Sequence, residues 1–348
     1  MYLQTLSNKV PPVSYTQNKL WQLYKDSDAR KQLKARSVWI IDKVLNGDNG
    51  IEKRHFALDT VASLPQLDAQ TLNNAFEREA PKLGSVALEE ALDKAALRGK
   101  DLDALIVCTC TGYLCPGVAS HLAERTGMRD DAFLLDIVGQ GCGAAIPSIR
   151  SASHILAANP NAHVAVVAVE ICSAAFYLDD DPGVLISACL FGDGASASIW
   201  SGNAETGLGL RAHDFDTLHL PKDREMLRFE NRDGKLRNRL DRCVPQKAAQ
   251  AVKVLHDRSL NRSERPVQQI VSHAGGRDVL EAVERLISGA ALQPSREVLR
   301  QYGNMSSPSM MFALESYLNQ DAVGTGQDLW LTSFGAGFAA HSFRLGVD

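Results

Sequence analysis

Apolar positions along this 348-residue chain follow two patterns. Short continuous runs rich in β-branched residues read as strands buried on both faces: "LDALIVCTCTG" (102–112), "AFLLDIV" (132–138), "AHVAVVAVEI" (162–171) and "ISACLFGDGASASIW" (186–200). Helical spacing alternates with them. Over 82–97, Leu88, Ala91, Leu92 and Ala95 share one face, and Gly99 supplies a stop. Helices are also predicted over the polar stretch 15–46, over 117–126, and from the turn at Cys142 to about Ala158. "GIEKRHFALD" (50–59) reads as irregular. Further on, 213–245 is the most charged and least regular region and reads as a solvated loop or hairpin insertion. A helix is predicted over 245–260, then a strand and turn in "VQQIVSHAGG" (267–276) and a helix in "RDVLEAVERLI". "YGNMSSPSMMFALESYL" (302–318) is a turn opening a helix, and "DLWLTSFGAGFAAHSFRL" (328–345) two strands joined by a glycine turn.

This order contains a repeat. "LIVCTCTG" corresponds to "QIVSHAGG", "VGQGCGAAIPSI" to "YGNMSSPSMMFA", and "LFGDGASASIW" to "SFGAGFAAHSF". Gly112 and Gly276 are 164 residues apart, as are Cys142 and Ser306, while Phe191 and Phe334 are 143 apart. Three pairings in one order predict a duplicated αβ unit, with halves at about 1–205 and 206–348 and helices covering the sheets.

Composition narrows the function. With 45% hydrophobic and 22% charged residues the chain reads as an ordinary soluble globular protein. The formal net charge is −4 and there is no basic tract, which argues against nucleic acid as a partner. No segment has the apolar length of a membrane span, and the first residues lack the basic start and apolar middle of a signal peptide. Seven cysteines form no disulfide framework, so a reduced, cytoplasmic setting is expected.

Cys142 lies between two glycines at a predicted strand-to-helix turn. Such a turn presents a sulfur at a helix N-terminus, where N–H groups and the helix dipole favour a thiolate. The alternative is a buried, inert cysteine. A nucleophilic thiolate needs a base or cation and an oxyanion stabiliser nearby. His273 ends a predicted strand, and Asn304 sits in "YGNMSS" before a helix, both where αβ sheets place their sites. Each alone also has an ordinary structural reading, as a polar core histidine or a turn asparagine.

Taken together, "VGQGCGAAIPSIRSA", "LFGDGA", "SHAGGRDVL", "YGNMSSPS" and "SFGAGF" resemble the ordered motifs of type III polyketide synthases, the chalcone- and stilbene-synthase-like enzymes, from about Val13 to the C-terminus. The resemblance implies the five-layered αβαβα thiolase fold with two duplicated halves, and usually a homodimer. It implies Cys142 as the acyl-accepting nucleophile and His273 and Asn304 as the rest of a catalytic triad. His273 as an imidazolium would hold Cys142 as a thiolate. Phe191 matches the gatekeeping aromatic, Ser306 a cavity-lining position, and Gly275 and Gly276 the glycine pair after the triad histidine. Cys115 matches the position that reaches across the dimer into the neighbouring cavity. The implied substrates are a starter acyl-CoA and malonyl-CoA, with no metal or redox cofactor, and an alkylpyrone or alkylresorcinol-type product.

Three departures stand out. Ser333 and Ala336 replace a usual Gly and Pro in "SFGAG". The second gatekeeping aromatic would fall within 237–240, where no residue is aromatic. The basic residues expected to grip coenzyme A do not align, with Arg36 and Lys43 nearby but out of register. Competing readings are a single-condensation β-ketoacyl synthase III, a catalytically silent partner subunit of the same fold, and a metal site of Cys108, Cys110 and Cys115.

Overall fold

The computed structural model describes residues 1–58, 67–204 and 207–347. In chain order these form β1 (Tyr2–Lys9), β2 (Val13–Thr16), α1 (Gln17–Lys25), α2 (Ala29–Gln32), α3 (Ala35–Asn46), β3 (Lys53–Phe56), α4 (Ala69–Lys94), β4 (Ala104–Cys108), α5 (Val118–Thr126), β5 (Phe133–Ile137), α6 (Ala145–Ala158) and β6 (His163–Glu170). Then follow α7 (Pro182–Leu190), β7 (Gly194–Ser201), β8 (Leu210–His219), β9 (Leu227–Arg232), β10 (Lys235–Leu240), α8 (Val244–Arg262), β11 (Val267–Ser272), α9 (Arg277–Leu286), α10 (Gln293–Tyr302), α11 (Ser309–Leu318), β12 (Asp328–Gly335) and β13 (Ala339–Gly346).

Nine strands form one mixed sheet in the order β11-β12-β13-β8-β1-β7-β6-β4-β5. The seam is narrow: β1 meets β8 only at Tyr2 with Arg211 and Leu3 with Leu210. Outward from it the two sides repeat one arrangement, β1-β7-β6-β4 on one and β8-β13-β12-β11 on the other. On both sides the outer pair is parallel and the next pair antiparallel. The strands equivalent by position are those paired in the sequence repeat: β4 with β11, and β7 with β13. β5 extends the first side and has no counterpart among the described residues of the second.

Helices α6 and α11 each pack on strands of both sides, α4 and α5 cover the outer face of the first, and α8 covers the outer face of the second with α9 beside it. This gives helices, sheet, helices, sheet, helices: a thiolase-like α/β fold. The central strands are apolar on both faces because both are covered; every residue of β4 is buried.

Several predicted boundaries move. α4 starts at Ala69, well before 82, because Asp68 caps it by accepting from Thr71 N–H at 2.7 Å. Pro81 lies inside this helix, and the buried Leu72, Ala75, Phe76 and Ala80 hold the turns before it. The first part of 186–200 is helix. Asp181 accepts from the N–H groups of Gly183 (2.9 Å) and Val184 (3.3 Å), and Pro182 occupies the first turn, so α7 runs to Leu190 before β7 begins. The region 50–59 includes β3, paired with β2. The charged region 213–245 is only partly an insertion: β8 belongs to the main sheet, and β9–β10 form the hairpin. β1 and α10 have no counterpart among the sequence-predicted elements.

Candidate active site

The site begins with a turn that must be tight. Leaving β5, the chain makes a single 3-10 turn over Gly141–Gly143 and enters α6. Gly141 has φ 55°, a left-handed value that a side chain disfavours. The turn is clamped from the other half of the molecule. A Cβ on Gly335 would lie 2.5 Å from Gln140 O and 2.6 Å from Gly143 N, so only glycine lets the β12–β13 loop approach this closely. Ser333 Oγ donates to Gly143 O at 3.1 Å, which gives the departure at that position a role in holding the turn.

The three chemistry-bearing residues meet through short links. Ser306 Oγ donates to Cys142 Sγ at 3.2 Å. Ser306 has φ 59° and is held there by its N–H, which donates to Asn304 Oδ1 at 2.8 Å. Asn304 Nδ2 donates to Gly275 O at 3.2 Å. Gly275 abuts the His273 ring, and a Cβ there would come within 2.7 Å of Phe334 Cζ. The Phe334 ring packs edge-on against His273, with centroids 5.2 Å apart. The structure thus gathers Cys142, His273 and Asn304 about one shell, and Ser306, matched as a cavity-lining position, becomes the direct partner of the sulfur.

Burial sets the charges. It pushes the Cys142 thiol up to about 12, with the Ser306 hydrogen bond opposing and the Glu170 carboxylate adding to the rise. It pushes His273 down to about 3, and His273 Nδ1 has no partner. Burial thus opposes both members of the expected imidazolium–thiolate pair. His273 Nδ1 has no partner and the Ser306 hydroxyl offsets only part of the desolvation at Cys142, so thiol and neutral imidazole are favoured.

A small, mostly apolar cavity adjoins this shell, lined by residues including Cys110, Ser306, Phe191, Phe176, Phe229 and Asn238. It approaches Cys142 across Ser306, whose Oγ is also 3.1 Å from Cys110 Sγ. Phe191 is among the residues that line it. Its backbone is tied to the triad loop: Asn304 N–H donates to Leu190 O and Gly192 N–H to Asn304 O, each at 3.0 Å. Buried Arg54 donates to Ala188 O at 2.8 Å and Phe191 O at 2.6 Å, fixing the same segment. Neither glycine of the pair lines the cavity; Gly275 touches the site through its carbonyl, which accepts from Asn304 Nδ2, and Gly276 precedes α9. Cys115 is exposed and outside the cavity wall of its own chain.

Three further residues belong to this site, of which the sequence singled out Cys110 only for a metal site. Cys110 stands beside Ser306, the partner of Cys142. Glu170, fully buried, accepts from Thr109 Oγ1 (3.1 Å), Cys110 N (3.0 Å), Thr111 Oγ1 (2.8 Å) and Ser307 Oγ (2.6 Å), and so fixes the cavity wall behind Cys110. A carboxylate closing the apolar run "VAVVAVE" was the available signal. Asn238 is the member of 237–240 that lines the cavity where a second aromatic gate was sought. The alternative metal site does not assemble: Cys108 is buried in β4, Cys110 faces Ser306 and Cys115 is exposed. Among the described residues no group of three or more ligating side chains is placed to hold a metal, and no helix is long and apolar enough to cross a membrane.

Residues 11–209 match the family of FAE1/type III polyketide synthase-like proteins, and 216–345 match the C-terminal domain of chalcone and stilbene synthases. The chain is 28% identical over 300 residues to 1,3,6,8-tetrahydroxynaphthalene synthase of Streptomyces coelicolor, covering 84% of this chain and 79% of that one. It is 28% identical over 344 residues to 3,5-dihydroxyphenylacetyl-CoA synthase of Amycolatopsis orientalis, covering 94% and 88%. The crystal structure of the Streptomyces coelicolor tetrahydroxynaphthalene synthase superposes with a TM-score of 0.87 at 26% identity, covering 100% of this chain and 99% of the other.

Proposed function

The chain belongs to the type III polyketide synthase family, and on that premise we propose that Cys142 carries the growing acyl chain while His273 and Asn304 stabilise the extender's enolate. The observation that carries this reading is the linked shell Cys142–Ser306–Asn304–Gly275 packed against His273. Iterative decarboxylative condensation then runs as follows. The Cys142 thiol gives its proton to neutral His273, and the thiolate attacks the thioester carbonyl of a starter acyl-CoA. The C–S bond to coenzyme A breaks, and the departing thiolate takes the proton back. Malonyl-CoA binds next and loses carbon dioxide. The electron pair of the broken C–C bond becomes an enolate, whose oxygen accepts hydrogen bonds from His273 and Asn304 Nδ2. The enolate carbon attacks the acyl-enzyme carbonyl and releases Cys142, leaving a chain longer by two carbons on coenzyme A. Return of that chain to Cys142 repeats the cycle, and cyclisation gives a pyrone or resorcinol-type product.

Neutral resting groups suit this sequence. A neutral imidazole can accept the thiol proton in the first half-reaction and serve as an N–H donor to the enolate in the second. Asn304 Nδ2 has a second proton beyond the one given to Gly275 O. Arg36 and Lys43, exposed on α3, offer charge for the coenzyme A phosphates. The open edge of β5, where Phe133 is 54% and Leu134 37% exposed, suits a homodimer formed along that edge, with Cys115 projecting toward the partner.

The test is a panel of acyl-CoA starters with malonyl-CoA, read by mass spectrometry of products and of the intact protein. Products extended by two or more malonyl units are expected, together with an acyl adduct that Cys142→Ala abolishes. A single β-ketoacyl product formed only from a carrier protein would overturn the iterative reading. Absence of an acyl adduct on Cys142, with Cys142→Ala leaving every activity unchanged, would leave a catalytically silent subunit.

A further inference from the structure

Asn238 carries a polar atom that the protein leaves unpaired. The residue is 3% exposed and sits on β10 in the wall of the cavity. Its Nδ2 donates to Ser187 Oγ at 2.7 Å, and its Oδ1 is buried with no hydrogen-bond partner. The orientation of the amide is fixed by Ser187. That hydroxyl has one proton, and it donates at 2.7 Å to Gly183 O, one turn back in α7. Ser187 Oγ can then only accept from Asn238. Turning the amide over would set two acceptors against each other, so Oδ1 remains the unpaired atom of this cavity-lining residue. Around it the lining is largely apolar, with Phe176, Val184, Phe191, Phe229 and Leu236. Of the other side-chain oxygens on this wall, Ser187 is committed to Gly183, Ser306 to Cys142 and Thr111 to Glu170, and the Tyr177 hydroxyl is the remaining one.

A buried acceptor with no donor in the protein costs free energy whenever an apolar chain fills the space beside it. A ligand supplying an O–H removes that cost, whereas a carbonyl oxygen, itself only an acceptor, does not. We infer that Asn238 is a specificity-determining residue which selects acyl chains presenting a hydroxyl or enol O–H to its Oδ1. The inference rests on the proposed condensing reaction, and it refines the expectation of a bare alkyl starter. The donor has two possible sources of the same chemistry: a hydroxyl on the starter, or the enol form of the extended β-keto chain.

The experiment uses the full-length enzyme, Asn238→Leu and Ser187→Ala. One arm compares kcat/KM for acyl-CoA starters of equal length with and without a distal hydroxyl. The other follows the distribution of extension products from a single alkyl starter. With a starter hydroxyl as the donor, wild type favours the hydroxylated member by about 5- to 100-fold, the range expected for leaving one buried acceptor unpaired. Asn238→Leu removes that preference, and Ser187→Ala, which frees the amide to turn, weakens it. With the enol as the donor, the starter pair is used equally, but both variants release shorter products from the alkyl starter. If wild type shows no hydroxyl preference and neither variant alters the product distribution, the inference is overturned. Absence of any condensation product from wild type would instead overturn the proposed function. Ser187→Ala keeps the test open should Asn238→Leu fail to fold.

Discussion

Desolvation works against an anion at Cys142. Its thiol is pushed up to about 12 and the neighbouring imidazole down to about 3, both chiefly by desolvation. Alkylation of Cys142 by iodoacetamide, followed by peptide mapping to separate it from the exposed Cys115 and Cys243, should therefore quicken steadily as pH rises from 5 to 10. A resting imidazolium–thiolate pair would instead give a fast plateau between about pH 5 and 8, and observing one would overturn the neutral assignment. The three residues of the proposed triad stand out in the sequence because each sits in a local signature: a cysteine between glycines, a histidine before a glycine pair, an asparagine ahead of a serine pair. Cys110, Glu170 and Asn238 do not, because what they do depends on partners distant in the chain. Glu170 holds Ser307, Cys110 meets Ser306, and Asn238 takes its orientation from Ser187.

At the scale of elements, the nucleophile turn is positioned by a loop from the opposite half. The atoms that a Gly335 side chain would strike are backbone, Gln140 O and Gly143 N, and backbone cannot swing aside as a flexible side chain can. Gly335→Ala should shift the Gly141–Gly143 turn. Displacement of a reacting atom by about 1 Å costs on the order of 100-fold in rate, so kcat and the rate of acylation should fall by that order while circular dichroism stays native. Acylation at the wild-type rate would show that the clamp is not needed. Elements with strong local patterns, such as β4, β6, β11 and α9, were legible from apolar runs and helical spacing. β1 was not, since Gln4, Thr5 and Ser7 are polar yet buried; Thr5 Oγ1, for one, donates to Ala91 O at 2.8 Å. α7 was misread because its "VLISACL" is apolar all round, as a buried strand is, and only the Asp181 cap and Pro182 distinguish it.

At the scale of the molecule, the duplication was visible as a repeated offset of 164 residues, and the sheet displays it as one strand arrangement on either side of a narrow seam. The seam itself was not legible, because β1 and β8 both carry polar and charged residues that hide them from a hydrophobicity pattern. Building two halves around shared central layers also buries histidines far from any counter-charge. His273 is 1% exposed and pushed down to about 3, and His341, on β13, is 4% exposed and pushed down to about 4, burial being the main cause in each. A folded pKa below the unfolded value contributes stability above the unfolded pKa, near 6.5, that is lost as pH falls toward the folded one. At pH 4.5 each of these residues should have lost about 2–3 kcal/mol of its contribution. Asp193 works in the opposite direction. Burial raises its carboxyl to about 6, so its contribution is present at low pH and is lost as pH rises through 6, which offsets part of the histidine effect on acidification. Urea unfolding of the wild type should give a lower midpoint at pH 4.5 than at pH 7.5. His341→Gln should narrow that gap by about 2 kcal/mol or more, since glutamine does not take up the proton that the unfolded histidine would bind. Equal gaps in the two proteins would mean that His341 is charged in the folded state, and that the central layers accommodate a cation there.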